Sequence, residues 1–179
     1  VHVHRIQKRV RNERGPFSYL LKLLLFFIRS TIALAVRHFS APYDLIHVHS
    51  VPDFQVFSTL IPRLMGARVI LDIHDIVPEF YASKFGVDRR TFSFRLLLLV
   101  EKLSIAYSSH VIIANHLWYR TLTERAVKPE KCTTVLNYPD LSIFSRRPRT
   151  VNTSEFIMCY PGTLNWHQGL DIAIEAVAL

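Results

Sequence analysis

Asp72-Ile-His74-Asp75 is the densest run of chemistry-capable side chains in the sequence. An imidazole flanked by carboxylates can have its tautomer fixed, or can hold and release a proton near neutral pH. Such a histidine can bind a substrate hydroxyl or stabilise charge that develops on a group being transferred. His47 and His49 are spaced by two, so on a strand both side chains face the same way. Together with Asp72 and His74 they can also be read as an H-x-H metal cluster, the arrangement a metal-dependent hydrolase would use. Ser50 follows directly, Glu79 comes after Pro78, and Asn115 and Asn137 stand just after apolar runs. Each has a plainer explanation: His74 bonded to its loop neighbours, His47 and His49 as a simple sheet-face pair, Glu79 as a solvated loop residue. Gly162-Thr163 precedes a helical pattern from about Gln168. Glycine lets a phosphate approach the backbone, and a helix N-terminus favours anions. There is no G-x-G-x-x-G, no G-x-x-x-x-G-K-[ST] and no G-x-S-x-G, so nicotinamide enzymes, P-loop NTPases and elbow-type serine hydrolases lack their signatures.

The elements that must carry these residues alternate short β-branched runs with longer apolar-periodic segments. A short strand is expected near 1–6, then a basic loop (Lys8, Arg9, Arg11, Arg14) and a helix over 17–39 that Pro42 stops. Strands follow at 45–48, 68–72, 110–114 and 133–136, with helices over about 53–65, 91–107 and 116–126 between them. Residues 73–90 read as a polar, Pro-containing loop. Segment 145–154 reads as a linker, and 156–160 opens a new strand before a helix from Leu170. Repeated strand–helix units imply an α/β fold with a doubly wound parallel sheet, helices covering both faces. In such a sheet all strand C-termini share one edge, and ligands bind there. His49-Ser50, Asp72, His74, Asp75, Asn115 and Asn137 should therefore converge on one cleft.

The chain has 179 residues, half of them hydrophobic and 20% charged, which excludes global disorder. The net charge of +8 favours anionic partners. The basic loop lacks the aromatic interleaving that stacks bases, which argues against nucleic acid. Cys132 and Cys159 lie in strand-like runs and are expected to be buried, reduced thiols of a cytoplasmic protein. The helix over 17–39 is too interrupted by Lys22, Arg29 and Arg37 to span a bilayer. It reads as a largely buried helix with Lys22, Phe26, Arg29, Ala33 and Arg37 along one exposed stripe, either an ordinary solvent stripe or a contact for an anionic membrane surface. The start, Val-His-Val-His-Arg, has no initiator Met and no signal-peptide pattern, and the final helix runs to the last residue. Truncation at both ends is the expectation.

Tyr43-Asp-Leu-Ile-His-Val-His49 resembles the "YDxIHxH" strand of family 4 glycosyltransferases, the retaining enzymes of GT-B fold. Val69-Ile-Leu-Asp-Ile-His-Asp75 with Pro78-Glu79 resembles their next strand and its "HD…PE" acceptor loop. His110-Val-Ile-Ile-Ala-Asn115 is similar to the strand ending in Ser or Asn before a helix. Val135-Leu-Asn137-Tyr-Pro-Asp140 with Phe144 resembles the "xxNxxD…F" hinge. Tyr160-Pro-Gly-Thr-Leu-Asn-Trp-His-Gln-Gly169-Leu-Asp resembles the "GxLxxxKGxD" opening of the second domain, with Gln168 where the family often has Lys. The likeness spans roughly residues 40–179. It implies two Rossmann-like domains facing a cleft: 1–144 holding the acceptor, a linker over 145–154, and 155–179 beginning the nucleotide-sugar domain. It implies metal-free transfer of a sugar, with retention, to a saccharide or lipid-linked acceptor, at the inner face of a membrane in surface polysaccharide or glycolipid synthesis. On this likeness His74 contacts the transferring sugar and Asp75 orients it or the acceptor. His49, Ser50, Glu79 and Asn115 line the acceptor side. Gly162, Thr163 and Asn165 line the donor side, and Asn137 and Asp140 form the hinge. A non-catalytic α/β binding domain is the remaining alternative.

Overall fold

A computed structural model of the chain describes residues 2–7, 16–50, 52–145, 158–162, 164 and 168–177. The chain divides into two compact units, Val1–Asn137 and Tyr138–Leu179. The basic loop, most of the 145–154 segment, Thr163 and Asn165 lie outside the described residues.

The first unit carries α1 (Pro16–Ser40), β1 (Leu45–His49), a 3-10 segment (Asp53–Thr59) running into α2 (Leu60–Leu64), and β2 (Arg68–Ile73). Then come α3 (Val77–Phe85), α4 (Phe92–Tyr107), β3 (His110–Ile113), α5 (His116–Arg125), a 3-10 turn (Pro129–Lys131) and β4 (Cys132–Thr134). The strands form one four-stranded sheet in the order β1-β2-β3-β4, every pair parallel. This is the expected α/β architecture, a parallel sheet flanked by helices as in the Rossmann-like half of a GT-B fold.

Alternation along the strands sorts the two faces. Val69, Leu71, Ile73, Val111, Ile113 and Cys132 are buried and join Val56, Ile105, Leu122 and Val127 in one core. On the opposite face Leu45, His47, His49 and Thr133 are exposed, and Ile70 and Ile112 half-buried. Burial pushes the Cys132 thiol up, which keeps it protonated.

Three expectations change. Residues 2–6 form no strand, and Val3 is exposed. The expected loop at 73–90 contains α3. Pro78 stands in its first turn, where a missing N–H costs nothing, and Gly86 ends it with φ +61. α1 has the expected bounds but is not largely buried. It packs against the 3-10 segment and α2, with Ser30 and His38 buried and the rings of Phe27 and Phe54 meeting edge-on at 5.9 Å. Its far side exposes Leu21, Leu24, Ile28, Ile32, Val36 and Phe39 together with Phe26, Arg29 and Arg37; Lys22 and Ala33 are half-buried. A helix that meets its neighbours along one face leaves its other apolar side chains uncovered, whatever their hydropathy.

In the second unit, Met158–Tyr160 is not a strand and Cys159 is exposed, where a buried thiol was expected. Asp140 organises a turn by accepting from the Ser142 amide (2.9 Å) and hydroxyl (2.7 Å), which hold its carboxyl below the usual range. α6 (Leu170–Val177) starts after Gly169, at φ +67.

Candidate functional site

The parallel register sets His49 beside Asp72 at the C-terminal ends of β1 and β2. His47 and His49 share a face of β1, and their rings stack at 4.6 Å. The carboxylate of Asp72 is the hub. Its Oδ2 lies 3.0 Å from His47 Nε2, 3.2 Å from His49 Nδ1 and 3.3 Å from His74 Nε2. His49 Nδ1 is also 3.2 Å from His74 Nε2. Asn137 closes the group from beyond β4, its Nδ2 at 3.5 Å from His74 Nδ1. The Asp72 side chain is 10% exposed, whereas those of His47, His49 and His74 are 43%, 63% and 36% exposed. A buried carboxylate thus sits beneath three solvent-reachable imidazoles.

The convergence expected of a parallel sheet is present for His49, Asp72, His74 and Asn137, which three separate chain segments bring together. Ser50 donates its backbone N–H to the Asp72 carbonyl (2.9 Å), extending the β1–β2 ladder by one residue. Asp75 is exposed, next to His74 and outside the hub. Asn115 caps α5: its Oδ1 accepts from the Trp118 amide at 2.9 Å. Glu79 is held by Arg125, which forks onto both of its oxygens. In the second unit, Gly162 lies against Tyr160, so a Cβ there would come within 2.6 Å of the ring, and the Tyr160 hydroxyl donates to Gln168.

Two features escape a sequence reading. Arg125 also binds Glu101, through Nε (2.8 Å) and Nη2 (2.6 Å), so one guanidinium ties together α3, α4 and α5. Burial pushes the Glu101 carboxyl up and Arg125 pulls it back. Asp53, 4% exposed at the start of the 3-10 segment, has a carboxyl pushed up to about 7 by burial and by the charge of Glu101, against the pull of the Ser50 hydroxyl. No local pattern marks either, because their partners lie up to 48 residues away.

A parallel sheet with polar strand tips on a single edge is shared by many chemistries. Comparison with protein families decides among them: the family described as the glycosyl transferase 4-like domain matches residues 1–137. The chain belongs to the glycosyl transferase 4-like family. The match covers all four strands and the whole histidine–aspartate group, so this constellation is part of the glycosyltransferase domain. No curated protein and no solved structure matches the chain. As a glycosyltransferase domain it serves sugar donor and acceptor substrates. Among the described residues, no helix of this domain is long and apolar enough to cross a membrane.

Proposed function

We propose that this glycosyl transferase 4-like domain is the acceptor-side half of a retaining, GT-B-type enzyme of the hexosyltransferase kind. The enzyme moves a sugar from a nucleotide-sugar to a saccharide or lipid-linked acceptor, in surface polysaccharide or glycolipid synthesis. The observation that carries the reading is the meeting of His49, Asp72, His74 and Asn137 at the C-terminal edge of the sheet. His74 contacts the transferring sugar through Nε2, beside the Asp72 carboxylate, while Asn137 stands at its other ring nitrogen, Nδ1. Asp75 stands beside it on the acceptor side with His49 and Ser50. Glu79 and Asn115 serve that side indirectly, Glu79 through its Arg125 pair and Asn115 by starting α5. The segment from residue 155 onward begins the donor half, with Gly162, Thr163 and Asn165 toward the diphosphate, and Asn137 and Asp140 form the hinge.

In the transfer, the bond between the anomeric carbon and the diphosphate oxygen breaks and the electron pair leaves with the diphosphate. An acceptor hydroxyl bonds to the same face of the sugar, and its proton passes to the departing oxygen. Cationic side chains and helix-terminal amides stabilise that leaving group without a resident metal. The uncovered side of α1 suits peripheral contact with an anionic membrane on the cytoplasmic side: Leu24, Ile28 and Ile32 enter the interface and Arg29 and Arg37 meet the headgroups.

Transfer from a panel of nucleotide-sugars by the full-length protein, with product stereochemistry read by NMR, tests the reading. His74→Ala should lower kcat by about 100-fold or more with the fold intact by circular dichroism. An inverted product, or full activity in His74→Ala, would overturn it.

A further inference from the structure

Three polar atoms in the group have a geometry that hydrogen bonding does not explain. Asp72 Oδ2, His49 Nδ1 and His74 Nε2 form a nearly equilateral triangle with edges of 3.2, 3.3 and 3.2 Å. A hydrogen bond needs one donor, one acceptor and a near-straight path. If both nitrogens carry protons, two N–H groups crowd each other across 3.2 Å. If only one does, the other nitrogen turns a lone pair toward a carboxylate oxygen. If neither does, all three edges oppose lone pairs. No distribution of protons satisfies every edge.

A cation at the centre satisfies all of them. Donor atoms of a tetrahedral zinc site stand roughly 2.0–2.1 Å from the ion, which sets them about 3.3–3.4 Å apart. The three edges in this triangle match that spacing without movement of the backbone. The donor chemistry matches too, since imidazole nitrogen with a carboxylate oxygen suits Zn2+ and similar first-row divalent ions. The surroundings complete the arrangement. His47 Nε2 lies 3.0 Å from the same carboxylate oxygen, and its ligand atom with those of His49 and Asp72 falls within one 4.8 Å group. Asn137 stands at the far nitrogen of His74, where a partner fixes a ligating ring's tautomer. The exposure of His49 and His74 leaves an open approach from solvent.

We propose that His49 Nδ1, His74 Nε2 and Asp72 Oδ2 form one face of a tetrahedral site for a divalent transition-metal ion of the zinc class. His47 and Asn137 act as positioning residues, and the fourth coordination position is open to water. The ion is not a cofactor of sugar transfer. It occupies the His74 nitrogen that the transferring sugar needs, so metal and substrate compete and Zn2+ inhibits the enzyme. The competition rests on the role given to His74 under the proposed function, whereas metal binding rests on the geometry alone.

Equilibrium dialysis of metal-stripped protein against Zn2+, with the visible spectrum of bound Co2+ as a geometric readout, tests the site. One ion per chain and the intense bands of four-coordinate Co2+ are expected. His49→Ala and His74→Ala should each weaken binding at least 10-fold, and His47→Ala by about 10–100-fold. His110→Ala, on β3 and paired with Thr133, should not change it. Asp72→Asn should also abolish tight binding; if it fails to fold, the two exposed histidines still decide the question. Binding that survives both His49→Ala and His74→Ala, or no stoichiometric binding at all, would overturn the site. In the full-length enzyme Zn2+ should suppress transfer, and a chelator should restore it. Stoichiometric binding at these residues with undiminished transfer would uphold the metal site and overturn the assignment of His74 to the sugar.

Discussion

Replacing Asp53 by Asn should change how the stability of the protein depends on pH. Asp53 is buried between α1 and α4, and its carboxyl is pushed up from 3.8 to about 7 by burial and by the charge of Glu101. In the unfolded chain the same group titrates near its ordinary value, ~3.9. Between these two values the folded state holds a proton that the unfolded state has released. The folded protein therefore loses stability as pH rises from about 4 toward 7, and the loss levels off above the folded value. At about 1.4 kcal/mol for each unit, a rise of roughly three units corresponds to at most about 4 kcal/mol. Asn has the same shape and cannot ionise, so Asp53→Asn lacks this fall. Its stability relative to wild type should increase from pH 4.5 to about pH 7 by about 3 kcal/mol and then level off toward pH 8. Urea unfolding followed by circular dichroism at fixed ionic strength measures the difference. Taking the variant against wild type removes most of the contribution of the nine histidines. Parallel pH profiles for the two proteins would refute the reasoning, and so would a gap that widens toward acid.

Arg125→Met should lower stability by about 3–5 kcal/mol, since it strands the Glu101 carboxylate, 1% exposed, without its cation. Thermal unfolding measures it, and adding Glu101→Gln should recover part of the loss. Ile28→Glu, on the uncovered side of α1, should reduce co-sedimentation with anionic vesicles by about 10-fold or more while leaving the melting temperature unchanged.

Much of the frame is legible in the sequence because parallel strands are written as nearly continuous apolar runs. Arg68-Val-Ile-Leu-Asp72 and His110-Val-Ile-Ile-Ala114 could not be mistaken for amphipathic helices, and the observed strands match them to within a residue. Once the strands are parallel, the meeting of His49, His74 and Asn137 follows from topology, since parallel neighbours end on the same edge. Sequence and structure part where one residue type has two local meanings. Pro78 sits in a stretch that reads as a loop, yet in a first helical turn it favours the helix. Glu79 beside it and Gly86 at the far end were available as start and stop signals for α3. Asp53 or Ser50 reads as the cap of a helix through about 65; the structure instead opens a 3-10 segment at Asp53, whose burial depends on α1 and α4, far off in the chain. Hydropathy gave no means of telling which side of α1 its neighbours would cover.

The Arg125 clamp has a consequence for how altered versions of this protein should be interpreted. α3 begins two residues after Asp75, so the bend that presents His74 is moored to α4 by direct helix packing and to both α4 and α5 by the Arg125 guanidinium. A defect at Arg125 would surface as poor turnover through the displaced bend, because its guanidinium is spent on Glu79 and Glu101. Screens that score activity alone would misfile a structural tether as part of the chemistry.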